Sequence, residues 1–113
     1  MRGYQDYLND IVNSMQSCLD FVDGLTYEEF SQDKKTSAAT IRMLEVIGEA
    51  VTKIPPEAKV KYVDIPWIDI AAMRNKLIHE YFGVDLEIVW DTVKEDIPLL
   101  LPLFKRMADK ETY

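Results

Sequence analysis

The chain has 113 residues, with thirteen Lys and Arg against twenty Asp and Glu (net charge -7) and 48% hydrophobic residues, the make-up of one ordinary globular domain. No apolar run approaches the roughly 18 residues of a membrane span, and Met1-Arg2-Gly3-Tyr4-Gln5-Asp6 lacks the apolar core of a signal peptide, so a cytoplasmic protein without a membrane partner is expected. The single Cys18 excludes an internal disulfide and a multi-cysteine zinc site, and the acidic balance excludes broad, charge-driven nucleic-acid binding.

Tyr4, Leu8, Ile11, Val12, Met15, Leu19 and Val22 follow helical spacing, which predicts a first helix over about 3–23. Gly24 stands where a left-handed closing residue is wanted. Thr26 and Glu29 fit a capping box for a short turn through Phe30, and Asp33 offers an N-cap for a long second helix. That helix is predicted to run to about Ile54, where Pro55-Pro56 stops it, with a short helical piece from Pro56 through Tyr62. A third helix is predicted from near Pro66 to Phe82, with Asp64 as its cap and Gly83 as its break. The fourth starts after Asp85 and carries Leu86, Val89, Trp90, Val93 and Ile97. Pro98 and Pro102 predict a kink near residue 97 and a last segment to about Lys110. Clean apolar–polar alternation is missing, so strands are not expected. With no repeat, linker or low-complexity segment, residues 1–113 read as a single all-α domain, an antiparallel four-helix bundle.

The third helix carries the unusual residues. With Ile70 at zero on a wheel of about 100° per residue, Leu77, Arg74 and Tyr81 fall within about 40°. Ile68, Ala72, Asn75 and His79 lie near 140–200°, and Asp69, Lys76 and Glu80 form one charged edge near 240–280°. A helix so apolar around its circumference is normally buried on more than one side. One bundle covers one side; the side holding Asn75 and His79 needs a groove or a second subunit, which leads us to expect a homodimer. Trp67, Phe82, Trp90 and Phe104 serve equally well as core or as interface aromatics.

His79 is the only histidine. A lone histidine on an apolar helix is more often a satisfied structural residue than a functional one. Arg74, Asn75 and Tyr81 on the same helix shift that balance, since arginine is rarely buried without a partner. Together they fit a polar cleft. Histidine can give or take a proton near neutral pH. Arginine can stabilise charge on a phosphoryl group through its planar fork of donors. Asparagine can orient a ligand or the imidazole. A two-fold dimer would place a second copy of the set nearby. Glu49 is a candidate to pair with Arg74 across the bundle, weighed against a solvated helix glutamate. Cys18 reads as a small packing residue, and Lys34, Lys35, Lys59 and Lys61 as surface more readily than as guides for RNA.

The run Arg74-Asn75-Lys76-Leu77-Ile78-His79-Glu80-Tyr81 has the form R-N-x-x-x-H-x-Y. It resembles the signature of HepT-type toxins in the HEPN superfamily. Ile47-Gly48-Glu49-Ala50, Ile65-Pro66-Trp67, and Val84-Asp85 followed by Val89-Trp90 resemble the same family in matching order, so the likeness covers nearly the whole chain.

The resemblance implies an all-helical homodimeric toxin of a type VII-like toxin–antitoxin system, acting as a ribonuclease without metal or cofactor. It implies Arg74 and His79 as the catalytic pair, with Asn75 in support and the RNA 2′-hydroxyl as nucleophile. It further implies a cleft between two copies of the third helix. The expected partner is an MntA-like minimal nucleotidyltransferase antitoxin that adds AMP to Tyr81, with a larger hetero-oligomer as a further form. An AMP ester beside Arg74 would place a bulky anion at the phosphate site. Two other readings stand beside this one: a non-catalytic helical subunit that presents substrate or nucleotide to a nucleotidyltransferase, and a plain helical interaction protein with Arg74 and His79 as internal hydrogen-bond partners.

Overall fold

The computed structural model describes residues 3–78 and 85–111, and among these every regular element is helical. Helix α1 spans Tyr4–Val22. Its Leu8, Ile11, Met15, Cys18 and Val22 form one buried stripe, as the spacing predicts. Gly24 closes it with φ of 77°, a conformation that a side chain would strain. Helix α2, Tyr27–Gln32, opens with the expected capping box. The Glu29 N–H donates to Thr26 Oγ1 at 3.1 Å, and the Thr26 N–H donates to Glu29 Oε1 at 2.9 Å.

Asp33 caps α3, Lys34–Thr52. Its carboxylate accepts from the Thr36 backbone at 3.0 Å and the Thr36 hydroxyl at 2.7 Å, and these bonds hold the carboxyl below its ordinary range. α3 ends two residues short of the expected Ile54. Pro55 disfavours helical backbone at Ile54, and the chain leaves through tight bonds from Lys53 to Ala50 and Ile54 to Val51. Ile54 is nevertheless buried. Pro56 opens a single helical turn, α4, Pro56–Lys59. The stretch to Tyr62 continues in turns, not in the helix expected there.

Helix α5 is Trp67–Ile78. Asp64 does not flank it: Pro66 occupies that position, and the Trp67 N–H bonds the Ile65 carbonyl at 2.9 Å. The expected end at Phe82 and Gly83 lies outside the described residues. Helix α6, Leu86–Asp91, starts after Asp85 as predicted, and Asp85 caps it, with Oδ1 accepting from the Glu87 and Ile88 N–H groups. The irregularity expected near residue 97 is a π-turn, Thr92–Asp96, ahead of α7, Ile97–Lys110. Pro98 has no N–H to offer the carbonyl four residues back, and the Ile97 N–H reaches five residues back to Thr92 instead. Pro102, inside α7, faces solvent.

α3 packs on both α1 and α5, and α7 packs on α1 and meets the start of α5 through Phe104 and Trp67. Cys18, late in α1, lies against Thr40, early in α3, so these helices run antiparallel. Gln5 donates to the Glu111 carbonyl, which sets α1 antiparallel to α7. The bundle expected from the sequence is therefore the observed fold. Trp90 packs on Phe30 (5.3 Å between centroids) and Tyr27 (6.0 Å), joining α6 to α2.

Phe104 is fully buried and meets Trp67 edge-on, with centroids 5.5 Å apart and planes at 88°. Phe104→Ala is expected to destabilise the chain by about 3–5 kcal/mol. Urea unfolding should show a lower midpoint at unchanged slope. A shift worth less than about 1 kcal/mol would contradict its place in the core.

A polar knot ties the ends of the chain to the approach to α5. The Glu111 carboxylate accepts from Tyr62 Oη at 3.2 Å and from Lys61 Nζ at 3.4 Å, and Tyr4 bonds it as well. The Tyr4 bond, then the Lys61 charge and the Tyr62 hydroxyl, hold this carboxyl below its ordinary range. Sheltering from water and the adjacent carboxylate push the Tyr62 phenol up. A depressed carboxyl contributes stability above its unfolded pKa and loses that contribution as pH falls through its folded one.

Candidate active-site helix

α5 takes its position from its first residue. Trp67 Nε1 donates to the Tyr62 carbonyl at 3.1 Å, its ring lies against Phe104, and Lys59 Nζ sits 5.7 Å from the ring centroid. Beyond that anchor, α3 is the one helix that packs extensively on α5 among the described residues. Ile70 belongs to the buried core and is 4% exposed.

Arg74 follows one turn after Ile70 on the same side of the helix backbone. Its side chain, and His79 and Tyr81 altogether, lie outside the described residues. The Arg74–His79 and Tyr81 expectations therefore rest on sequence position. Asn75 is exposed. It shares its side of α5 with Ile68, which is 84% exposed, and with Ala72, also exposed. The side of α5 that was expected to need a groove or a second subunit is thus open to solvent in one chain. Glu49, on the neighbouring α3, is exposed, with its carboxylate 3.8 Å from Lys53 one turn on. That is a surface pair of small energetic weight.

The remaining side of α5 faces a groove of about 520 Å³, with α6, the π-turn and the start of α7 as its other wall. Ile70, Met73, Ile88, Leu99 and Leu100 make it mostly apolar. Asp69, from the charged edge of α5, and Asp96, from the π-turn, place a carboxylate on each wall. Sequence reasoning missed this groove. Its second wall depends on how α6 and α7 fold over α5, and only the apolar Leu99 between two prolines hints at it.

The aromatic residues divide clearly. Phe104 is core, while Trp67 and Trp90 are half-buried and packed against it, and Phe82 lies outside the described residues. Of the lysines weighed as guides for RNA, Lys59 lies over Trp67 and Lys61 is engaged with Glu111. Lys34 and Lys35 are exposed at the start of α3. Cys18 is fully buried, as a small packing residue should be, and burial pushes its thiol up to about 12.

Residues 11–107 match the family described as Ribonuclease HepT-like. The chain belongs to that family. The HepT-like match takes in α1 from Ile11 through α7 to Met107, and so the whole of α5 and both walls of the groove. Among HepT-like relatives, a "Probable ribonuclease HepT" of Thermococcus cleftensis is 47% identical over 106 residues, covering 94% of this chain and 96% of the relative. A "Putative RNase" of Methanocaldococcus jannaschii is 48% identical over 92 residues, 81% of this chain and 76% of the relative. Another, from Caldanaerobacter subterraneus subsp. tengcongensis, is 40% identical over 111 residues, 98% of this chain and 99% of the relative. No solved structure matches the chain. Among the described residues, no helix is long and apolar enough to cross a membrane.

Proposed function

We propose that this HepT-like chain is a metal-independent endoribonuclease toxin, cutting RNA in a cleft between two copies of α5. What supports the reading is the R-N-x-x-x-H-x-Y run of the sequence, which begins within α5 at Arg74, in a chain of a ribonuclease-named family. The exposure of Ile68, Ala72 and Asn75 supports a second copy on that side of the helix.

In the proposed reaction the RNA 2′-hydroxyl attacks the adjacent phosphorus. One His79 takes the hydroxyl proton, and the bond to the 5′-oxygen breaks as that oxygen gains a proton from an acid in the cleft. The His79 of the second copy suits this second role. Arg74 stabilises the added charge on the pentacoordinate phosphate through its planar donors. Asn75 positions the imidazole or the phosphate, and Glu49 supports Arg74 from α3. The test is cleavage of an RNA oligonucleotide by purified protein in EDTA. Intact RNA after incubation with soluble dimer would overturn the reading, and would favour the non-catalytic subunit that presents substrate to a nucleotidyltransferase.

The proposed regulator is an MntA-like nucleotidyltransferase that adds AMP to the Tyr81 hydroxyl. In the sequence Tyr81 follows Arg74 by seven residues, the spacing that two helical turns would bring to one side. An adenylyl group there would carry negative charge to the place where the scissile phosphate must sit. Intact mass should rise by one or more AMP units on incubation with that partner, ATP and magnesium, and cleavage should fall in proportion. An undiminished rise in Tyr81→Phe would remove Tyr81 from the scheme.

A further inference from the structure

The groove between α5 and the α6–α7 arm adjoins the open side that bears Asn75, with Ala72 on the boundary between them. On the helix wheel the Asp69 side of α5 lies about 100° from the Ile68–Asn75 side. Its lining is mostly apolar, and Leu99 (73% exposed) and Ile88 (41% exposed) stand at its edge. Large exposed aliphatic side chains beside a concavity mark a contact surface.

The charged side chains that line it are both acidic. Asp69 lines one wall and Asp96 the other. Asp91 and Glu95, on the same arm, are exposed. The cation within this stretch, Lys94, lies over the Trp90 ring, 5.3 Å from its centroid, on the part of the arm that packs against α2. A nucleic-acid backbone would meet like charge here. A second copy set groove to groove about a two-fold axis would bring these carboxylates against their own counterparts.

We infer that this groove docks a segment of a partner protein in which apolar side chains are flanked by lysines or arginines. The apolar residues would seat against Ile70, Met73, Ile88 and Leu100. The cations would pair with Asp69 and Asp96, as apolar anchors and rim charges do at protein interfaces. Docking of this kind is independent of the catalytic reading, because it uses neither Arg74 nor His79.

The experiment uses a fluorescent designed helix with leucines three and four apart and lysines and arginines elsewhere, titrated with the full chain. A twin peptide with glutamate at every basic position is the control. Saturable binding of the basic peptide alone is expected, weakened about tenfold or more in the double variant Asp69→Asn, Asp96→Asn and lost in Leu99→Arg. Ile88→Lys serves as a second variant at the groove edge should Leu99→Arg melt early. Equal binding of the acidic twin, or unchanged affinity in both sets of variants, would overturn the inference. Displacement of the bound peptide by an RNA oligonucleotide would assign the groove to RNA instead. Conversion of a dimer to a monomer by Leu99→Arg in sedimentation would assign it to a second copy. Either result also overturns the proposal, while leaving the cleavage assay to judge the ribonuclease reading.

Discussion

His79→Ala is expected to slow RNA cleavage in EDTA by about 10²- to 10⁴-fold, the range for removal of a general acid–base group. If both copies of the histidine serve one cut, as acid and base, the loss falls at the upper end. Arg74→Ala should cost about 10²- to 10³-fold, the usual effect of removing a donor that faces transition-state charge. Arg74→Lys should restore little of it, because a single ammonium does not reproduce a planar pair of donors. The rates are to be measured beside thermal melts of each variant. Full cleavage by His79→Ala would point to a contaminating nuclease. A collapsed melt in Arg74→Ala, with loss of fold in place of loss of rate, would favour the plain helical interaction protein.

Ile68→Arg is expected to dissociate the dimer and take cleavage with it. Ile68 is 84% exposed in the single chain and shares its side of α5 with the exposed Ala72 and Asn75. Two-fold contact repeats every residue, so one substitution sets two unpaired guanidinium groups against an apolar surface. An unpaired charge there costs several kcal/mol, enough to weaken association by more than about a hundredfold. Sedimentation should show a monomer, and cleavage should fall with the dimer fraction. The substitution should leave the fold intact, since the side chain makes little contact within one chain. A dimer that survives Ile68→Arg with full activity would remove this side of α5 from the cleft.

Local chemistry was readable in the sequence wherever the partner of a residue lies within a turn of it. Thr26 with Glu29, Asp33 with Thr36, Gly24 after Val22 and Asp85 before Ile88 all appear where the spacing placed them. The α1 stripe was readable because burial on one side repeats with the helix period. Asp64 failed as a cap because the turn through Ile65 and Pro66 depends on Trp67 reaching back to Tyr62 and out to Phe104, which is tertiary information. The end of α3 at Thr52 was missed for a related reason: the apolar pattern continues through Ile54 because Ile54 is buried, although its backbone has already left the helix. The expected break near residue 97 was right in place, but its π-turn form was not specified by Pro98 alone. Of the proposed site, the sequence offers the residue types and their spacing. The partly open surroundings of α5 came from the packing of α3 against it, and the groove on its other flank from the path of the α6–α7 arm.

Cys18 has a consequence of another kind. It is the one thiol of the chain, it is fully buried in the α1–α3 contact, and burial pushes it up to about 12. The attacking species in thiol chemistry is the thiolate, so the native chain is close to inert toward electrophiles, oxidants and disulfide exchange near neutral pH. Its behaviour is accordingly decoupled from the redox poise of its surroundings as far as cysteine is concerned. The same silence leaves the background clean for chemical labelling: a cysteine introduced at the surface would be the sole reactive thiol on the molecule.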